Sequence, residues 1–162
     1  MGYYLMVFEP SAAPPTRELF LAWYERQIDW DDDRDYDDYE GTAPLLQAFF
    51  LDIIPTFPPV SGPLAAPEAE TGSANVTDYS IGRSFIYFHG SWENADAALA
   101  LALQFTEKHG LGVFDTTSDV VWLPTEGKMA VAFKTTPPQG GRELELLKKA
   151  FDTVAGWFKR GG

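Results

Sequence analysis

Val76-Thr77-Asp78-Tyr79-Ser80-Ile81-Gly82-Arg83-Ser84-Phe85-Ile86-Tyr87-Phe88 is the stretch whose reading decides the fold. Two short runs rich in β-branched and aromatic residues, Val76–Ile81 and Ser84–Phe88, flank Gly82-Arg83, which suits a tight turn. The spacing predicts a β-hairpin there. Further along, Leu111–Phe114 and Val120–Leu123 form a second strand pair around the polar turn Asp115–Asp119, and Met129–Phe133 reads as a further strand. Towards the start, Tyr3–Phe8 is a β-rich run of the same kind. Strands joined by short connections predict a largely antiparallel sheet.

Helical periodicity fills most of the remainder. Thr16 caps a predicted helix reaching Ile28, with Leu19, Phe20, Trp23 and Tyr24 on one stripe. Gly41-Thr42-Ala43-Pro44 reads as the start of a second helix, with Thr42 as cap and Pro44 in the first turn, where its missing N–H does no harm. That helix carries Leu45, Leu46, Phe49, Phe50, Ile53 and Ile54 and ends near Pro55. A third helix is predicted from Glu93 to Lys108, closed by His109-Gly110. A fourth, amphipathic one is predicted over 142–159, with Leu144, Leu147, Phe151, Val154 and Trp157-Phe158 inward. Residues 57–75 are rich in Pro, Gly, Ala and Ser and read as a long loop, a feature that is uncommon and often functional. The expectation is one α+β domain over 1–162, with about four helices on an antiparallel sheet.

Composition narrows the function classes. A chain of 162 residues is most simply one domain and can bury roughly 70% of its unfolded surface. Its content of apolar and aromatic residues suffices for a core without staples. With no cysteine there are no disulfides, zinc–thiolate sites or cysteine nucleophiles. Met1–Pro10 has no basic segment and its apolar run is short, so neither a signal peptide nor an anchor is expected. No stretch approaches the ~20 apolar residues of a membrane span, and the cytoplasm is the expected location.

Charge is distributed unevenly. The formal net charge is −12. Residues 1–80 hold 15 Asp and Glu against 3 Lys and Arg, whereas residues 81–162 hold 9 of each. Such a first half repels nucleic-acid phosphates and anionic membranes. A basic protein or a cation is the natural partner.

The acids are densest in Asp29-Trp30-Asp31-Asp32-Asp33-Arg34-Asp35-Tyr36-Asp37-Asp38-Tyr39-Glu40. Oxygen ligands fall at positions 1, 3, 5, 7, 9 and 12 of this run, the spacing of an EF-hand calcium loop. Arg34 stands where that loop needs Gly, and Gly41 and Pro44 would fall inside its exit helix. No metal or cofactor site is therefore assigned. Three readings remain for the run: a solvated loop, a protein-recognition surface anchored by Trp30, Tyr36 and Tyr39, and a calcium-binding loop.

Catalytic signals are sparse. The two histidines are His89, at a strand end near Trp92, and His109, at a helix end that favours an imidazolium. No serine has a nucleophile-elbow context, and no His pairing suggests a metal. Gly110-x-Gly112 follows a helix and precedes a strand, the reverse order for a dinucleotide fingerprint. Tyr79, His89 and Asp115 are the residues a small enzyme or ligand-binding protein would use, if they line one pocket.

Leu5-Met6-Val7-Phe8, Trp23-Tyr24, Tyr36-Asp37-Asp38, Phe57-Pro58-Pro59, Thr77-Asp78-Tyr79-Ser80-Ile81-Gly82 and Lys108-His109-Gly110-Leu111-Gly112-Val113-Phe114-Asp115 together resemble a family of uncharacterised small acidic bacterial proteins. These look like the immunity proteins encoded beside secreted antibacterial toxins. The resemblance covers about residues 3–124, and the chain after Pro124 is an addition to it. It implies direct contact with a basic toxin domain and supplies no catalytic residues.

Overall fold

The computed structural model describes residues 2–70 and 72–134. Six strands form one antiparallel sheet: β1 Gly2–Phe8, β2 Asp78–Ile81, β3 Phe85–Ser91, β4 Gly112–Asp115, β5 Val120–Thr125 and β6 Lys128–Lys134. Their spatial order is β2-β3-β1-β4-β5-β6. Three α-helices occur among the described residues: α1 Arg17–Gln27, α2 Pro44–Ile53 and α3 Ala95–His109. The α+β class and antiparallel sheet agree with the sequence reading. The helix expected at 142–159 lies outside the described residues.

β1 sits in the middle because it is apolar on both sides. Tyr3, Leu5 and Val7 point to one face, which α2 and α3 cover, and Met6 and Phe8 to the other, which α1 covers. A strand covered on both faces has no need of polar alternation. On the first face Leu46, Phe49, Phe50 and Ile53 of α2 meet Tyr79, Ile86 and Phe88. Ala98 and Ala102 are fully buried, and their small side chains let α3 lie close to the sheet. On the second face Phe20 and Trp23 of α1 sit among Phe8, Phe114 and Phe133. β3, α3 and β4 form a crossover in which both strands pair with β1 between them.

Several local expectations shift. The β2–β3 register, with Asp78 opposite His89 and Ile81 opposite Ile86, centres the turn on Arg83-Ser84, one residue later than Gly82-Arg83. Gly82 is needed for space: a Cβ there would meet the Phe85 ring at 2.1 Å. Thr42 does not cap α2. It is buried and donates its hydroxyl to Arg83 O at 3.2 Å, so Ala43 is left at the cap position. Leu19 is 58% exposed, because α1 turns Phe20 and Trp23 to the sheet instead. Helix α3 starts two residues later than expected, after the 3₁₀ turn Trp92–Asn94, and ends on Gly110 at φ +69°, the left-handed cap that glycine adopts without steric cost.

His109 closes α3 against α2. Its Nε2 lies 2.7 Å from Asp52 Oδ2, and Lys108 Nζ lies 3.0 Å from the same oxygen. The His109 hydrogen bond, aided by Lys108, holds the Asp52 carboxyl below its ordinary range against an opposing effect of burial. A depressed carboxyl stabilises the fold above its unfolded pKa of about 3.9, and that contribution is lost as pH falls through the folded value. Asp52→Asn is therefore expected to be less stable than the parent at pH 6, and the gap to close as pH falls through the folded value. Urea midpoints across that window check this; a gap that persists at the acid end would rule out the carboxylate as its source.

Candidate functional site

The acidic run Asp29–Glu40 links α1 to α2 and folds against the β2–β3 end of the sheet. Trp30 fixes its start. Its φ of +55° lies in the left-handed region, which costs a non-glycine residue roughly 1–2 kcal/mol. The indole recovers this by packing on Tyr36, with centroids 5.1 Å apart, and on Phe85 and Tyr87 at 6.2 and 6.0 Å. It still leaves 40% of its surface exposed.

The second part of the run is tied down by its own side chains. Asp35 Oδ1 accepts from Asp37 N at 2.9 Å, and Asp38 Oδ1 accepts from Glu40 N at 3.0 Å. Such Asx turns hold a loop without helix or sheet. Asp37 Oδ1 accepts from Ser61 Oγ at 2.9 Å, which joins the run to the long loop. Tyr36 O accepts from Ile81 N at 2.8 Å, on the outer side of β2. Tyr39 stacks on Phe50 of α2 at 5.4 Å, and Gln47 Nε2 donates to Glu40 O at 3.1 Å.

The first part is different. Asp29, Asp31, Asp32 and Asp33 are exposed. Among the described residues the one ion pair the run makes is Asp32 with Arg83, at 3.8 Å. Among the described residues Asp29, Asp31 and Asp33 make no ion pair, and Asp29 and Asp31 flank the half-exposed indole in the chain. The twelve residues do not fold as an EF-hand loop. Asp35 and Asp38 spend a carboxylate oxygen on backbone amides, and α2 begins only at Pro44. Among the described residues no three Asp, Glu or His side chains gather as a metal-binding group.

Sequence reasoning gave Arg34 and Arg83 no part in a site, yet with Arg26 they line a cleft of about 230 Å³ beside Asp31 and Asp32. No local pattern joins Arg26, Arg34 and Arg83, since the loop and the hairpin bring them together.

Tyr79, His89 and Asp115 do not converge. Tyr79 is buried on the α2/α3 face, where its hydroxyl donates to Phe57 O at 2.8 Å and burial holds its phenol protonated far into the alkaline range. Asp115 borders a separate cleft next to Tyr3 and Leu5. His89 lies on the opposite face, half-exposed, with Nε2 3.0 Å from Asp78 Oδ2 and its ring 5.1 Å from that of Tyr4. The alternation of strand side chains explains the split: Phe88, not His89, shares a face with Tyr79. Asp78 as the partner of His89 was not within reach of the sequence, because counting outward from a turn at Gly82-Arg83 sets Asp78 opposite Tyr87, and only the turn at Arg83-Ser84 sets it opposite His89.

No described helix is long and apolar enough to cross a membrane. Comparison with protein-family models, with curated proteins and with solved structures gives no match.

Proposed function

We propose that the protein is an acidic, cytoplasmic binding module of the immunity type, which neutralises a basic toxin domain by direct contact through the first part of the acidic run. The observation that carries this reading is the unpaired charge of Asp29, Asp31 and Asp33, close to Trp30 in the chain. Opposite charge steers encounter, and a half-exposed aromatic supplies the desolvated anchor that charge alone lacks. The run is also held in one shape by its Asx turns and ring contacts, so little order has to be imposed on binding. Tyr36, Asp37, Asp38 and Tyr39 support that shape, which leaves Asp29, Trp30, Asp31, Asp32 and Asp33 as the contact residues.

The test is the association rate with the captured basic partner. Asp31→Asn, Asp32→Asn and Asp33→Asn combined are expected to slow association about tenfold at low salt, with the parent rate falling steeply as salt rises. Glu25→Gln with Glu70→Gln, which removes charge elsewhere, is expected to have little effect. A complex indifferent both to salt and to the triple substitution would refute the loop as the contact.

A further inference from the structure

The only cations of residues 1–80 are Arg17, Arg26 and Arg34, and two of these three converge with Arg83 on the cleft of about 230 Å³ described above. Each comes from a different element. Arg26 stands in the last turn of α1, Arg34 in the middle of the acidic run and Arg83 in the β2–β3 turn. Guanidinium groups gathered in this way repel one another unless negative charge lies among them.

The protein's own carboxylates answer only part of that charge. Arg83 meets Asp32 at 3.8 Å, and both side chains are exposed, so this pair is weak. Arg26 and Arg34 make no ion pair or side-chain hydrogen bond among the described residues. Asp38 lies across Gly41 from Arg34 Nη2 without pairing with it. Arg34 is half-buried, and its Nε is shielded from solvent with no acceptor. A guanidinium N–H left in that state is costly, and an incoming acceptor would relieve it. Asp31 also borders the cleft, so the charged walls hold three guanidinium groups against two carboxylates, a surplus of one positive charge. Phe85 and Tyr36 supply ring walls, and Gly82 adds no side chain to fill the space. The volume falls below that of a drug-sized pocket and suits the end of one side chain.

We propose that this cleft binds a single carboxylate, held by Arg26, Arg34 and Arg83. One carboxylate matches the surplus charge, which a phosphate dianion would exceed, and its two oxygens fit the planar guanidinium fork. The net charge of −12 opposes any anion, which keeps the affinity in the millimolar range. The group arrives either on a small free acid or on an acidic side chain of a partner. The site does not rest on the acidic run as a contact surface. Asp31 and Asp32 repel a carboxylate and attract a basic partner, so removing their charge moves the two readings in opposite directions.

NMR titration of the full chain at constant pH and ionic strength tests it, with the amide signals of Arg34, Gly82 and Arg83 as the readout. The probes are propionate, a blocked glutamate-containing tripeptide and its glutamine counterpart, which has the same shape without the charge. The carboxylate probes are expected to give saturable shifts with a Kd in the millimolar range, and the glutamine tripeptide to bind at least about tenfold more weakly. Arg34→Gln is expected to weaken carboxylate binding about tenfold. Should that variant not fold, Arg26→Gln with Arg83→Gln, both at exposed positions, carries the same expectation. Asp31→Asn with Asp32→Asn is expected to tighten it about threefold. A tripeptide bound as tightly as propionate or more tightly assigns the group to a partner chain, and tighter binding of propionate assigns a small acid. Absence of saturable shifts at about 50 mM probe, equal binding of the glutamine tripeptide, indifference to the arginine substitutions, or weaker binding by the aspartate variant overturns the proposal.

Discussion

Phe20→Ala is expected to destabilise the protein by about 3–5 kcal/mol and to lower the denaturant midpoint without altering the slope of the transition. Phe20 of α1 meets four other rings of the second core. It lies 5.3 Å from Phe8, 5.6 Å from Trp23, 5.3 Å from Phe114 and 5.5 Å from Phe133, the last two edge-on. Removing it leaves a hole between Trp23 of the same helix and three rings held by β1, β4 and β6. Those rings cannot collapse into the hole without moving the sheet, so the cavity contribution adds to the lost transfer energy. Leu19→Ala, one residue away and exposed, serves as the contrast and is expected to change stability by less than about 0.5 kcal/mol. Similar losses at the two positions would contradict the orientation of α1.

The second large effect is expected from the gain of a single methyl. Gly112 begins β4 opposite Phe8 of β1. A Cβ there would stand 2.5 Å from Phe8 Cζ and 3.0 Å from a methyl of Leu123. Phe8 is buried to 1% exposure and packed on Phe20 and Trp23, so the ring has nowhere to swing. Gly112→Ala should therefore cost about 1–3 kcal/mol through overpacking, although alanine suits a strand at least as well as glycine. The double variant Gly112→Ala with Phe8→Leu is expected to lose less than the sum of the two singles, since the smaller side chain vacates the contested space. Chemical denaturation of the three variants checks this; strict additivity would show that the two sites do not meet.

The elements themselves were legible because each has a local cause. Alternating β-rich runs about short turns marked β2 through β6, and Gly110 marked the end of α3. The neighbours of β1 were not legible, because nothing near Tyr3–Phe8 says which strands will lie against it. Its position between β3 and β4 follows from two-sided burial and from the passage of α3 over it. Thr42 misled for a related reason. A hydroxyl three residues before an apolar run looks like a cap, but a distant carbonyl, Arg83 O, took it. The acidic run was legible as a charged loop laced with aromatics. Which of its acids face outward was not, since Asp37 is occupied by Ser61 from a loop 24 positions away, and Tyr39 by Phe50. Tyr79, His89 and Asp115 were candidates for one pocket, and side-chain alternation set His89 on the opposite face from the other two.

The bond from Ile81 N to Tyr36 O has a consequence for self-association. β2 ends the sheet, and an open outer edge invites a second chain to add a strand. Here that edge is short and held at both ends: Ile81 N by Tyr36 O, and Thr77 by Pro58 O and Val60 N. Asp35, Asp37 and Asp38 flank the Tyr36 contact, so a second copy approaching edge to edge would bring its own carboxylates against them. The same loop thus covers the β2 edge and sets like charge against a second copy approaching there.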